Sequence, residues 1–184
     1  MDVLTAIAER RAVRSYGDAD IDRATVEKLI DAALQAPSAR DLEPWAFAVF
    51  EGRDRLRRFS EEAKRELLRG AEAGASPEVR ARLTDPAFDI FYGAPILIVI
   101  CATSPASQAA EDCCLAAQNL MLAAHANGLA TCPIGFARPW LNLPATKREL
   151  GIAPDLVPVF ALILGYAAEH RPSPGRRPAR IEWL

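Results

Sequence analysis

Strong charge of either sign is missing from this sequence. The 22 Lys and Arg against 24 Asp and Glu leave a formal charge of −2 over 184 residues. That excludes the broad basic field by which a protein holds nucleic acid or an anionic membrane. No apolar run approaches the ~20 residues that span a bilayer. The start, Met1-Asp2-Val3-Leu4, lacks a charged region leading into an apolar one, so no signal peptide is expected. Cysteine is scarce: Cys101, Cys113, Cys114 and Cys132 show no CxxC and no Cys/His metal spacing. All four stand in apolar company and read as buried free thiols of a reducing compartment. A soluble cytoplasmic protein is therefore expected. Motifs of nucleophilic, metal or dinucleotide chemistry are absent too: no GxGxxG, no phosphate loop, no HExxH, no GxSxG, no evident Cys/His or Ser/His pair.

What is present is a hydrophobic content of 51%, enough to fill a core. The length fits a single domain over residues 1–184. Residues 2–11 read as a short helix capped by Asp2, and 23–36 as a second capped by Asp22, with apolar residues at helical spacing. Trp45 to Glu51 is aromatic and β-branched, a strand. Residues 53–69 read as an exposed helix, residues 70–74 as a flexible connection, and Ser76-Pro77-Glu78 as a further helix start. Ile96 to Ala102 is a continuous apolar run, the pattern of a strand buried on both faces. Residues 107–127 form the longest helical pattern, apolar beyond one stripe, which calls for burial in a core or against a second subunit. His125 near its end reads as a capping or interface residue rather than a base. In 129–136 a proline and a glycine interrupt any strand, and an amide at Ile134 or Gly135 is free to face a ligand. A helix starting at Asn142-Leu143-Pro144 ends at Gly151, and Leu156 to Leu164 is a second buried strand, interrupted by Pro158. The segment 52–92 is the most polar; it is either a mobile cover over a site or a plain surface excursion. The tail, 167–184, is proline-rich and extended.

The arginines are unevenly placed. Arg10, Arg11 and Arg14 lie near one end, and Arg171, Arg176, Arg177 and Arg180 near the other. Guanidinium forks suit phosphate oxygens, so the clusters suggest an anion held where the ends meet; two solvated ends are the alternative. Between helix and strand, Pro37-Ser38-Ala39-Arg40-Asp41-Leu42-Glu43-Pro44-Trp45 is a small polar turn whose amides are easy to approach.

Six pieces in this order resemble the nitroreductase family of flavin enzymes: Arg10 to Tyr16, Ala36 to Trp45, Gly93-Ala94-Pro95, Gln118 to His125, Gly128 to Gly135, and Gly165-Tyr166 followed by prolines and Arg176-Arg177. The resemblance implies an α+β nitroreductase-like fold, a central mixed and mainly antiparallel sheet surrounded by helices, in an intertwined homodimer. It implies FMN as cofactor, NAD(P)H as co-substrate, and ping-pong hydride transfer to a small acceptor such as a nitroaromatic or quinone. Arg10, Arg11, Ala12, Arg14, Arg176 and Arg177 would surround the flavin phosphate and ribityl. Pro37, Ser38, Ala39 and Asp41 would reach the flavin from the other subunit, and Pro133, Ile134 and Gly135 would pass beside the ring, one amide donating to N5. No catalytic side chain is implied, because the cofactor carries the chemistry.

Three departures stand out. Ala12 replaces a usual serine and removes a hydrogen bond worth about 1 kcal/mol. Asp41 stands for a usual asparagine, and beside the pyrimidine edge an ionised carboxylate would lower the flavin potential unless Arg40 or a raised pKa neutralises it. Glu43 stands for a usual glutamine and reads as an acid that ties the turn together. Because these acids disfavour electron transfer, a flavin-storing or sensing protein is a competing expectation, as is a specialised dehydrogenase or dehalogenase of the same family.

Overall fold

The structure, a computed structural model, describes residues 1–70, 76–169 and 175–184. The chain runs α1 (Val3–Glu9), α2 (Arg23–Leu34), β1 (Trp45–Glu51), α3 (Arg53–Gly70), α4 (Pro77–Thr84), β2 (Ile96–Ala102), α5 (Ser107–Ala126), β3 (Ala130–Pro133), α6 (Arg138–Leu141), α7 (Pro144–Leu150) and β4 (Val157–Gly165). The strands form one sheet in the order β1-β2-β4-β3, every strand pair antiparallel. Among the described residues the parallel component is the isolated bridge of Ala12 to Thr131.

The caps read from the sequence are where expected. Asp2 accepts from the Leu4 and Thr5 amides, Asp22 from Thr25 and Ser76 from Val79. Strand β2 is buried at all seven positions. Its alternation explains the unbroken apolar run: Ile96, Ile98 and Ile100 pack with α2 and α5 residues on one face, Leu97, Val99 and Cys101 with α3 and α6 residues on the other. Pro158 is tolerated because the β2–β4 register shifts there, between Ile100 and Cys101.

The helix α5 covers the sheet with Ala109, Cys113, Ala116, Ala117, Leu120 and Ala124, small residues that let it approach closely. One stripe stays open: Leu115 is 46% exposed, and Cys114 is exposed where the sequence suggested a buried thiol. The other three thiols are buried, and burial pushes Cys101 up to about 11 and Cys113 up to about 12, so both stay protonated.

The polar segment 52–92 is anchored. The buried Lys64 Nζ donates to the carbonyls of Asp85 and Phe88 at 3.1 and 2.8 Å and pairs with Glu61. Ser60 Oγ accepts from the Ile90 amide, and Phe59 packs against Phe50 and Trp140. The expected flexible connection at 70–74 lies, beyond Gly70, outside the described residues, as do Arg171, Pro172 and Pro174. The end of the tail, 175–184, has no regular secondary structure and is exposed, Trp183 by 92%. No helix among the described residues is long and apolar enough to cross a membrane.

Candidate functional site

The strand β3 lies at one edge of the sheet, and the segment 10–14 covers that edge. Ala12 pairs with Thr131, and the Val13 N–H donates to the Thr131 carbonyl at 3.0 Å. Tyr16 then pairs with Ala167, and the Gly17 and Ala168 amides bond the Tyr166 and Ser15 carbonyls. This ladder ties the N-terminal segment to the start of the tail. Gly165 makes the junction possible: a Cβ there would lie 2.5 Å from Tyr16 Cδ1 and 2.9 Å from Pro95 Cδ.

A cleft of about 410 Å³ opens beside this ladder, lined by Arg10, Arg11, Ala12 and Arg14 together with His125, Gly128 and Thr131. Burial, then the nearby charges of Arg176 and Arg11, lower the Arg10 pKa. The two arginine clusters thus meet at Arg10 and Arg176. Among the described residues the guanidiniums of Arg10, Arg14 and Arg176 make no hydrogen bond and no ion pair, although Arg14 lies over the Tyr92 ring at 5.9 Å. Arg11 is different. Its guanidinium donates to the carbonyls of Ala8 and Arg10 at 2.8 and 2.5 Å and closes the end of α1. Its Nε is buried without a partner, as is Nε2 of His125, which stands 3.9 Å from Glu9. Arg177 is exposed and makes no contact that ties it to the cleft.

Past β3 the two candidate amides separate in role. The Ile134 N–H donates to the Ala161 carbonyl at 2.8 Å and is not free for a ligand. The Gly135 N–H makes no bond among the described residues. A Cβ on Gly135 would meet nothing within 4 Å, and its φ is not left-handed, so neither packing nor backbone conformation demands glycine there. Pro133 is exposed beside it.

The turn after α2 is strained. Arg40, Asp41 and Glu43 have φ of 55°, 57° and 47°, uncommon for residues with a Cβ. Two bonds hold it: Ser38 Oγ accepts from the Glu43 amide at 2.9 Å, and Asp112 of α5 accepts from the Ala39 amide. Glu43 ties the turn through its backbone only; its carboxylate is exposed and makes no bond among the described residues, which corrects its reading as a structural acid. Asp41 is likewise exposed and makes no ion pair, so Arg40 does not neutralise it. Pro37, Ser38, Ala39 and Asp41 lie far from the cleft in the same chain. They are tied to α5 at Asp112, whereas His125 of the same helix lines the cleft. That stretch of helix is about 20 Å long.

Two features escaped sequence reading. Asp112 is 2% exposed on the buried face of α5; a lone acid in step with Ala109 and Ala116 was the available signal. Tyr92, from the polar segment, reaches Arg14 and accepts a hydrogen bond from Arg82, and no residue pattern announces those contacts.

The Nitroreductase family model matches residues 7–166. A Methanothermobacter thermautotrophicus protein provisionally assigned as an NADH dehydrogenase/NAD(P)H nitroreductase is 32% identical, over 96% of this chain and 82% of its own. A 4-nitrobenzoate reductase of Pseudomonas putida is 30% identical, over 92% and 87%. The crystal structure of a Bacteroides fragilis nitroreductase with bound FMN superposes with a TM-score of 0.86 at 25% identity, covering 100% of this chain and 99% of that one.

Proposed function

Because the chain belongs to the Nitroreductase family, we propose that it is an FMN-dependent oxidoreductase passing a hydride from NAD(P)H to a small organic acceptor, a nitroaromatic, quinone or similar, by a ping-pong mechanism. The observation that carries the reading is the two unpaired guanidiniums, Arg10 and Arg14, that line one cleft, with the charge of Arg176 close to Arg10. Like charges brought together oppose folding unless an anion offsets them, and of the acids that line the cleft Glu9 faces His125. A phosphate monoester is such an anion, and guanidinium forks bind it in a bidentate way. The buried Nε of Arg11 and Nε2 of His125, both without partners, add polar atoms that a phosphate or ribityl hydroxyl would satisfy. At Gly135 a flat ring can pass close to the backbone, where a side chain would block it. The residues present therefore fit FMN.

When bound, FMN supplies the two-electron hydride chemistry. The chain's residues do the rest. Arg10, Arg14 and Arg176 would hold and orient the phosphate end. Ala12 narrows nothing and donates nothing there. The Gly135 N–H is the donor available beside the ring, since that of Ile134 is engaged.

The same proposal includes an intertwined homodimer with Pro37, Ser38, Ala39 and Asp41 supplied across the interface. It rests on the separation of that turn from the cleft along α5. It rests also on apolar side chains left uncovered in one chain: Leu4 at 72%, Leu42 at 67%, Ile181 at 65% and Trp183 at 92% exposed. Sedimentation equilibrium checks it, and a monomer holding FMN would contradict it. A cytoplasmic location belongs to the proposal as well, supported by four unpaired thiols.

The test of the cofactor site is an FMN titration of the protein stripped of flavin. Arg10→Gln and Arg176→Gln each weaken binding by about tenfold, the loss of one hydrogen bond to a charged group. Failure of the parent protein to bind FMN, or parental affinity in both variants, overturns the reading.

A further inference from the structure

The polar segment 52–92 reaches Arg14, a residue of the cleft, through Tyr92, and the way it does so is costly. Tyr92 has φ of 54°, a conformation that a bulky aromatic residue resists. Asp89 enforces it: its two carboxylate oxygens accept from the amides of Phe91 and Gly93 at 2.8 and 2.9 Å, on either side of Tyr92. The clamped ring lies under Arg14 at 5.9 Å. Arg82 of α4 also lies 5.9 Å from its centroid and donates to its hydroxyl at 2.9 Å. The Arg82 guanidinium stacks on Phe88 at 4.3 Å, and Phe88 meets Tyr92 edge-on.

Arg82 is thus held in place by two aromatic rings and one hydroxyl, and no acid pairs with it among the described residues. The acids nearby are engaged elsewhere: Asp89 in its own turn, and Asp85 with the Ala87 amide at 2.8 Å. A guanidinium carries five donors, and Arg82 uses one. An exposed arginine ordinarily swings free or pairs with a carboxylate. One fixed by aromatic stacking, exposed and with donors left unused, is pre-organised for a bidentate anion. Through Tyr92 it shares a ring with Arg14, a residue of the flavin site.

We propose that Arg82, positioned by Tyr92 and Phe88, is a specificity-determining residue that selects acceptors carrying a carboxylate on an aromatic ring. The aromatic edge of Phe88 and Tyr92 suits the planar body of such an acceptor, and the guanidinium suits its carboxylate. This rests on the flavin reading, since Arg14, beside the Tyr92 ring, is what connects Arg82 to the flavin site.

The test compares 4-nitrobenzoate with nitrobenzene as acceptors and measures benzoate binding by calorimetry on the protein as isolated. Arg82→Gln lowers the ratio of kcat/KM for 4-nitrobenzoate over nitrobenzene about tenfold and weakens benzoate binding by a similar factor. Arg82→Lys, which keeps the charge but loses the fork, recovers part of each. Tyr92→Phe keeps the ring and removes the hydroxyl that orients Arg82, and lowers the same ratio by a smaller factor. An unchanged ratio in Arg82→Gln overturns the inference, as does an equal fall for both acceptors. A loss confined to the half-reaction with NADPH also overturns it and assigns Arg82 to the nucleotide's phosphates. If the protein takes up no FMN, the flavin reading fails, while benzoate calorimetry on Arg82→Gln still decides whether Arg82 binds a carboxylate.

Discussion

The Ala39 amide donates to both carboxylate oxygens of Asp112, at 3.3 and 3.2 Å, across 73 positions of sequence. Asp112 is buried, and this amide is its hydrogen-bond partner among the described residues. The bond fixes a turn in which three residues with side chains stand in the left-handed region. Asp112→Ala leaves a buried amide unsatisfied and costs about 1–3 kcal/mol. In a chain of this size each kcal/mol lowers Tm by about 2–4 °C. Asp112→Asn keeps an acceptor and removes a desolvated charge, so it is milder. Thermal melts of the two variants decide; equal losses would show that the charge and not the acceptor matters.

Gly165 holds the ladder between the chain ends by having no side chain. Tyr16 cannot easily yield to a Cβ there, because its hydroxyl donates to the Val13 carbonyl at 2.8 Å and its half-buried ring packs against the core. Gly165→Ala is expected to cost about 1–3 kcal/mol by overpacking. It also shifts Arg14, two residues before Tyr16, and so weakens FMN binding. Urea unfolding and an FMN titration read the two effects separately; an alanine variant with parental stability would show that Pro95 and Tyr16 move aside freely.

Ala12 is exposed, and its pairing with Thr131 uses backbone only. Ala12→Ser therefore adds a hydroxyl to the cleft without disturbing the edge. FMN affinity should tighten by about 1 kcal/mol, roughly fivefold. Fluorescence quenching of free FMN measures it, and an unchanged Kd would place Ala12 away from the flavin.

Asp41 makes no ion pair among the described residues, even with the adjacent Arg40, so its effect on a partner's flavin is not offset by one. A charge at about 4 Å in water is worth about 1 kcal/mol, which a two-electron couple reads as about 20 mV. Asp41→Asn should raise the flavin midpoint potential on that order. A potentiometric titration showing no shift would mean that the carboxylate does not sense the ring.

Much of this was legible in the residues. Caps, strand limits and the buried β2 follow from local rules that act within a few positions. The meeting of Arg10 with Arg176 was legible as a coincidence of two basic clusters, though not its route along β3. What stayed hidden depends on contacts distant in sequence. Ile134 looked as available as Gly135 until β4 claimed its amide, and nothing in the residues marked the two bonds that turn the Arg11 guanidinium back on α1. Glu43 looked like a tying acid, but its backbone does the tying. Tyr92 and Arg82 lie in the stretch where no family motif exists to mark them.

The most direct measurement is an anaerobic absorbance spectrum of the FMN-loaded protein before and after NADH or NADPH. The account predicts a yellow protein whose flavin absorbance near ~450 nm is bleached by the nucleotide and restored by a nitroaromatic or quinone, the chemistry residing in the cofactor. A protein that stays colourless after loading, or a yellow one that neither nucleotide bleaches, would contradict it.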